Sequence, residues 1–211
     1  MVDFWKRYRR NRAAVFGLVV IILIIIMALT ASLFYPNDPF RLMGKPLSGP
    51  LTNGFLLGSD SLGRDVASGI VHGAKTSLLI GFVATIVSVF IGIFFGAFAG
   101  YFGGRIDDIL MRVTEIFQTI PSFIFAILLV AIMKPSIVSI VIAIAVVSWP
   151  GVARLVRGEF LALKNREFVQ ACHTLGMSDF RIMLREILPN CLSPIIVVGS
   201  LMVATAILIE S

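Results

Sequence analysis

The amino-acid sequence predicts an all-α protein that crosses a membrane several times. Of its 211 residues, 58% are hydrophobic and only 14% are charged, whereas a soluble chain is about 45–50% apolar. Its mean hydropathy is +0.97. The apolar residues form charge-free runs that are long enough to cross a hydrocarbon core of about 30 Å as helices. Because lipid offers the backbone no hydrogen-bond partners, such runs must be helical.

The first apolar run, 13–34, follows a basic segment, 1–12, that carries Lys6 and four arginines. The run has 22 residues, more than the apolar stretch of about 7–15 residues in a cleavable signal peptide. We therefore expect an uncleaved first transmembrane helix. Four further spans are predicted at 77–102, 116–133, 137–153 and 192–211, the last of them incomplete.

Lysine and arginine are distributed unequally between the segments that join the spans. With a cytoplasmic N-terminus, 13 of the 18 cations lie in inner segments and 5 in outer ones. An excess of cations in inner loops predicts this orientation, with 35–76 and 134–136 outside and 103–115 and 154–191 in the cytoplasm. The net charge of +6 is therefore an orientation signal, and nucleic acid is excluded as a partner.

The outer segment contains a polar turn that runs from Gly58 to Asp65. Ser59 or Asp60 is predicted to cap the helix that follows, because a short polar side chain accepts hydrogen bonds from free N–H groups there. Asp60 and Arg64 have the i, i+4 spacing of a helical ion pair. Chemistry alone favours a solvated turn with a weak surface pair.

Three glycines of the second span, Gly92, Gly96 and Gly100, recur every four residues and share one helix face. Small residues at that spacing let a second helix approach closely within a bilayer. We therefore predict a helix-packing face at this position in preference to a pore lining.

The third span begins near several charged residues. Glu115 is the one acid expected near membrane depth, where such a group is either paired or faces water. Pairing with Arg112, three residues earlier, is the preferred interpretation over a role in transport. Pro121 predicts a kink farther along the same span.

The inner segment 154–191 has the pattern of two short amphipathic helices that meet at Gly176. The apolar positions of the first helix recur at i, i+3, i+4 and i+7: Phe168, Ala171, Cys172 and Leu175. Gly176 is predicted to end this helix in the left-handed conformation, and Ser178 or Asp179 to cap the next. The second helix is predicted to stop ahead of Pro189; its apolar positions are Phe180, Met183, Leu184 and Ile187.

A cytoplasmic helical corner with one apolar face has three possible roles. It lies in the lipid interface, packs beneath its own transmembrane helices, or inserts into a groove of a partner protein. Periodicity does not separate these roles.

The residues predict no metal, cofactor or catalytic site. Cys172 stands beside His173, but an adjacent pair lacks the spaced ligand set of a zinc site. Cys172 and Cys191 are expected to be free thiols, because the cytoplasm disfavours disulfides. The chain has no Gly-x-x-x-x-Gly-Lys-Ser/Thr loop, so we expect that it does not hydrolyse ATP itself.

The inner corner resembles the signature loop of bacterial ABC importer permeases, written E-A-A-x3-G-x9-I-x-L-P. The matching residues are Gln170, Ala171, Cys172, Gly176, Leu188 and Pro189. Gln170 replaces the acid, Cys172 the second alanine and Glu186 the isoleucine. The outer turn also resembles a motif of the oligopeptide, dipeptide and nickel permease branch, through Gly58, Asp60, Gly63, Arg64 and Asp65. The resemblance covers essentially the whole chain.

This resemblance implies the ABC importer permease fold, with six spans and a core domain at 77–211 in this sequence. Five spans are present, so we expect the sequence to be a fragment rather than a truncated copy. The implied partners are a second homologous permease, two P-loop ATPases, an extracytoplasmic substrate-binding protein and the lipid bilayer of the bacterial inner membrane. The residues implied to couple the permease to the ATPases are Glu167, Gln170, Ala171, Cys172, Gly176, Ser178, Arg181, Leu188 and Pro189. Gln170 removes the charge of the usual acid but keeps a hydrogen-bonding group of similar length.

The branch includes importers of short peptides, nickel and other small solutes, so the resemblance implies one of these as the substrate. No His or Met cluster marks a path for a metal ion, which favours peptides. Two other classes stay open at this point, an ion-gradient-driven secondary transporter and a membrane anchor for another protein. A secondary transporter usually carries ionisable residues within its spans, and only Glu115 is a candidate here.

Overall fold

A computed structural model describes residues 8–52 and 54–210, and most of this part of the chain is helical. Residues 1–7 of the predicted basic segment and Ser211 of the predicted fifth span lie outside the described residues. The helices are α1 Arg12–Phe34, α2 Val66–Phe102, α3 Gly104–Thr119, α4 Ser122–Ile132, α5 Ile137–Leu163, α6 Glu167–Thr174, α7 Asp179–Ile182 and α8 Leu188–Glu210. The chain divides into two compact units, Met1–Ser77 and Leu78–Ser211.

Four helical stretches are long and apolar enough to cross a membrane. They are Arg12–Phe34, Val66–Phe102, Ile137–Leu163 and Asp179–Glu210. The pair of α3 and α4 gives a fifth candidate if the two bent helices are one span. The structure therefore contains four or five candidate spans among the residues described.

The predicted third span, 116–133, is broken rather than kinked. α3 and α4 meet at an angle of 83°, and Ile120 between them is extended, with φ −91° and ψ 131°. The cause is Pro121, which has no N–H to donate and disfavours the helical conformation of the residue before it. The predicted kink at Pro121 thus understates the change of direction.

Two helices extend beyond their predicted apolar runs. α2 begins at Val66 instead of residue 77, and α5 continues to Leu163 instead of ending at 153. Absence of charge marks the part of a helix that lipid tolerates, but a helix continues into polar surroundings as long as its backbone bonds are made. The inner segment 154–191 therefore begins inside α5.

The prediction that the second inner helix stops ahead of Pro189 is wrong. A π-helical turn, Met183–Ile187, joins α7 directly to α8. Leu188 donates its N–H to the Met183 carbonyl, five residues back. This wider turn accommodates a residue without an N–H at the next position, because the ordinary i→i−4 pattern is already interrupted there.

The second unit is organised around the C-terminal half of α5. The side chain of Phe160 is fully buried, and Val156 and Val152 lie one and two turns before it on the same face. Buried residues of α2, α6, α7, the π turn and α8 complete the cluster: Ala97, Val169, Ile182, Met183, Ile187, Cys191 and Ile195. Helices α6 and α7 are thus attached to α2, α5 and α8 by an apolar core.

The glycine face of α2 lies directly against α5. A Cβ added to Gly96 would collide with the carbonyl of Ala153, and one added to Gly100 would lie 2.6 Å from the Phe160 Cβ. Gly92 has no more room, because a Cβ there would overlap the side chain of Val152. The two backbones approach this closely because glycine has no side chain.

Candidate functional site: the helical corner

The corner is the segment Glu167–Ile187, in which α6 and α7 meet at Gly176. Gly176 has a φ of +73°, the left-handed conformation that glycine adopts without steric cost. Its N–H donates to the His173 carbonyl at 2.9 Å, and the Met177 N–H donates to the Cys172 carbonyl at 3.1 Å. This pair of bonds is a Schellman motif. The sequence places the end of α6 at this glycine, and the structure has it there.

Ser178 occupies the position before α7, as the sequence predicts, but its side chain makes no capping bond. Its carbonyl accepts the N–H groups of Arg181 and Ile182 at 2.9 and 3.0 Å. The start of α7 is therefore stabilised through the backbone, and the Asp179 carboxylate is available for a different contact.

The predicted apolar faces of the corner are divided between two surfaces. Val169, outside the predicted face, is fully buried, together with Ile182, Met183 and Ile187. The other face carries four apolar side chains that are exposed, by 80% at Leu175 and 60% at Phe180; the other two are Phe168 and Leu184. The corner thus packs beneath its own helices with one face and leaves a second apolar face uncovered.

The residues implied to contact an ATPase lie mostly on the solvent side of the corner. Those classified as exposed are Glu167, Gln170, Ala171, Gly176, Ser178, Arg181 and Pro189, whereas Cys172 and Leu188 are half-buried. Cys172 and Cys191 are both free thiols. In residues 8–52 and 54–210, no three His, Cys, Asp or Glu side chains form a group that could hold a metal ion.

Tyr101 at the end of α2 contacts both helices of the corner, a connection that sequence reasoning missed. Its hydroxyl donates to Asp179 Oδ1 at 2.7 Å and lies 3.4 Å from His173 Nε2. The Lys164 ammonium, at the end of α5, approaches the Tyr101 carbonyl at 3.4 Å. The partners lie 63 to 78 residues apart in the chain, so no local spacing signals these contacts.

A second polar contact joins α3 to α5. The Arg157 guanidinium donates two hydrogen bonds to the Asp107 carboxylate, at 2.5 and 2.6 Å. Such a bidentate pair fixes both distance and orientation. The predicted pair of Glu115 with Arg112 is wrong, because the ion pairs of the described residues do not include it. Both side chains instead line a polar cavity of about 450 Å³ between α3 and α5.

The outer turn is a compact hydrogen-bonded structure within the first unit. Asp60 Oδ1 accepts the N–H groups of Leu62 and Arg64 at 2.8 and 2.9 Å, and Asp60 Oδ2 accepts the Arg64 guanidinium at 2.7 Å. These bonds, led by the Arg64 backbone N–H, hold the pKa of Asp60 below its ordinary value. Ser59 is only 7% exposed, and its hydroxyl donates to the Lys45 carbonyl at 2.6 Å.

The residue predicted to cap the helix after this turn is wrong. Asp65, rather than Ser59 or Asp60, accepts the N–H of Ala67 at 2.9 Å at the start of α2. Asp60 and Arg64 form an ion pair, but in a turn and not in a helix. Gly58 and Gly63 both have positive φ values, +86° and +79°.

The helical architecture has the fold of one class of membrane proteins, the ABC importer permeases. A solved structure titled as inward-facing conformations of the MetNI methionine ABC transporter matches it with a TM-score of 0.59. The match covers 67% of this chain and 71% of that one, at 18% sequence identity. At that identity the likeness shows the fold alone.

Sequence comparison identifies the family within that class. Residues 92–210 match the binding-protein-dependent transport system inner membrane component family, and residues 1–50 match the N-terminal TM domain of oligopeptide transport permease C. The chain therefore belongs to the binding-protein-dependent transport system inner membrane components. It is a multi-pass protein of the bacterial inner membrane.

Three curated relatives illustrate the similarity. The oligopeptide transport system permease OppC of Salmonella typhimurium is 42% identical, over 99% of this chain and 70% of that protein. The dipeptide transport system permease DppC of Bacillus subtilis is 38% identical, over 99% and 65%. The glutathione transport system permease GsiD of Shigella flexneri is 40% identical, over 98% and 68%. The chain spans about two thirds of the length of these relatives.

Proposed function

We propose that this chain is a translocating subunit of an ATP-driven importer of short peptides. In this proposal it forms the membrane path together with a second homologous permease. Two P-loop ATPases bind on the cytoplasmic side and hydrolyse the ATP, and an extracytoplasmic binding protein delivers the peptide. The uncovered apolar face of the corner is the observation that carries this proposal.

The face is suited to a protein partner because the corner is anchored beneath it. The Schellman motif at Gly176 and the buried side chains of Val169 and Ile182 hold α6 and α7 in place. Leu175 and Phe180 are left with 80% and 60% of their surface exposed. An amphipathic element presented in this way is recognised by an apolar groove on another protein.

The orientation required by this function agrees with the distribution of cations. We propose that the corner and the α2–α3 junction face the cytoplasm and that the turn Gly58–Asp65 lies on the periplasmic side. We further propose that the core permease domain occupies 77–211 and that α3 and α4 together provide the third span of a six-span protein. Support comes from the excess of lysine and arginine in the inner segments.

Short peptides are the proposed substrates because relatives across the branch carry peptide names. Those relatives include dipeptide, di/tripeptide and oligopeptide transport permeases, at 38%, 39% and 42% identity. In the described residues the side chains form no cluster of metal ligands, so nothing in this part of the chain favours nickel.

The docking proposal is tested with the full-length protein co-expressed with its ATPase subunits. Leu175→Glu places a charge on the uncovered face, and we expect it to abolish co-purification of the ATPases. Leu42→Glu is the matched control, because Leu42 is 67% exposed but lies in the outer segment. Co-purification that survives deletion of residues 166–188 would sink the docking proposal.

The substrate proposal is tested by uptake into cells that lack the protein. Complementation with the full-length gene is expected to restore growth on defined di- and tripeptides and to leave nickel accumulation unchanged. Restored nickel accumulation without peptide uptake would replace the proposed substrate by the metal ion.

A further inference from the structure

Tyr101 is held rigidly at the point where α2 ends. The preceding residue, Gly100, packs against the Phe160 Cβ and the Arg157 backbone of α5, and the Tyr101 side chain itself contacts the buried core of the second unit. Gly103, two residues later, has a φ of +67° and turns the chain into α3. The phenol therefore projects from a fixed part of a membrane-spanning helix.

The other end of the Tyr101 side chain contacts the corner. Its hydroxyl donates to Asp179 Oδ1 at 2.7 Å, a charge-assisted bond to the first residue of α7. The ring also lies over the His173 imidazole of α6, with 6.5 Å between centroids. One side chain of α2 thus contacts both helices that flank Gly176.

This contact differs in kind from the apolar contacts around it. Burial of Val169 and Ile182 attracts the corner to the core, but the hydrophobic effect has no preferred direction. A hydrogen bond weakens steeply when its angle or distance changes. The bond from Tyr101 to Asp179 therefore adds a directional constraint on where α7 lies relative to the end of α2.

We propose that Tyr101 is a positioning residue for coupled transport, acting through Asp179 to link displacement of the corner to displacement of α2. The inference rests on the proposed function, because it takes the corner as the element that the ATPases move. When the corner shifts with the nucleotide state, the hydrogen bond makes α2 follow. Without it, the corner slides on its apolar contacts and ATP is hydrolysed with less movement of the membrane helix.

The test measures peptide uptake and ATP hydrolysis by the complete transporter reconstituted in proteoliposomes. Tyr101→Phe removes only the hydroxyl, and Tyr35→Phe is the control for the same change in the outer segment. We expect Tyr101→Phe to keep its ATPases and its basal hydrolysis but to lose about fivefold in peptide molecules imported per ATP, the scale of one partly exposed charge-assisted bond. Tyr35→Phe should match the unaltered protein.

A double-mutant cycle separates coupling from a general loss of structure. Asp179→Ala should lower the ratio of uptake to hydrolysis as Tyr101→Phe does, and the double variant should be no worse than either single one. Asp179→Asn keeps an acceptor oxygen and should recover most of the ratio. An unchanged ratio in Tyr101→Phe would overturn the inference, as would uptake and hydrolysis that fall together with thermal stability. Absence of ATP-driven uptake by the unaltered complex would instead overturn the proposed function and, with it, this inference.

Discussion

The outer turn and the inner corner are both shaped by glycines with positive φ, but they are stabilised over different distances along the chain. In the outer turn, Asp60 accepts hydrogen bonds from residues two and four positions away. In the corner, the Gly176 bonds are equally local, but α7 is also bonded to Tyr101, 78 residues before Asp179, and its buried side chains contact the core of the second unit. Local bonds give each element its shape, and distant residues determine where the corner lies.

This difference has a consequence for function. The outer turn bonds within itself and to residues 43–48 of the same outer segment, so its shape depends on that segment. The corner has one buried face and a few directional contacts, so its position depends on the membrane helices that hold it. An element that transmits movement needs this second kind of attachment.

The largest effect is expected where α2 and α5 touch. Gly96→Ala would place a methyl group against the Ala153 carbonyl and 2.7 Å from the Val156 Cβ, so the two helices would have to move apart. We expect a loss of about 3 kcal/mol, the upper end for overpacking of a tight core, and a sharply lower yield of folded protein. Gly158→Ala is the control, because a Cβ there meets nothing within 4 Å. Equal thermal stability of the two variants would refute the close packing of these helices.

A smaller effect is expected in the outer turn. Gly58→Ala would force a side chain into a left-handed backbone and against the Ser48 carbonyl. Gly54→Ala imposes the same backbone cost, at a φ of +81°, but meets no atom within 4 Å. Both variants should lose about 1–2 kcal/mol from the backbone term, and only Gly58→Ala should lose more. Thermal unfolding in detergent measures the stability lost by each variant, and the difference between the two losses isolates the steric contact with Ser48. A larger loss in Gly54→Ala would contradict that contact.

The smallest effect concerns the charge of Asp60. Because its pKa is lower in the folded protein than in the unfolded chain, the carboxylate stabilises the fold above the unfolded pKa of about 4 and stops doing so as the pH falls through the folded value. Asp60→Asn keeps an acceptor oxygen and removes the titration. Its melting temperature should therefore fall less between pH 6 and about pH 3 than that of the unaltered protein. If the melting temperatures of the two proteins fall in parallel as the pH is lowered, the folded turn does not favour the charged form of Asp60.

The features that could be predicted from the sequence depend on residues close to one another along the chain. The left-handed Gly176 and the packing face of Gly92, Gly96 and Gly100 follow from local spacing, and the structure places them accordingly. The end of α5 at Leu163 and the passage of a helix through Pro189 did not follow, because hydropathy marks lipid exposure and a π turn removes the constraint that proline imposes.

The missed site residues share a different cause. Tyr101 with Asp179 and Arg157 with Asp107 are 78 and 50 residues apart, and their pairing exists only once the helices have packed. The division of the corner into two apolar faces has the same origin. The periodic pattern showed that Phe168, Leu175, Phe180 and Leu184 were apolar, but only the packed core shows that Val169 replaces them as the buried contact.

A photo-crosslink from the uncovered face of the corner tests most directly whether this face docks on an ATPase. A benzophenone amino acid at Leu175, which is 80% exposed, is introduced into the full-length protein within cells that contain the whole transporter. If this face docks on an ATPase, the probe at Leu175 forms a covalent adduct with an ATPase subunit, and the same probe at Leu42 in the outer segment forms none. Adducts with lipid alone at Leu175, or an ATPase adduct at Leu42, would contradict it.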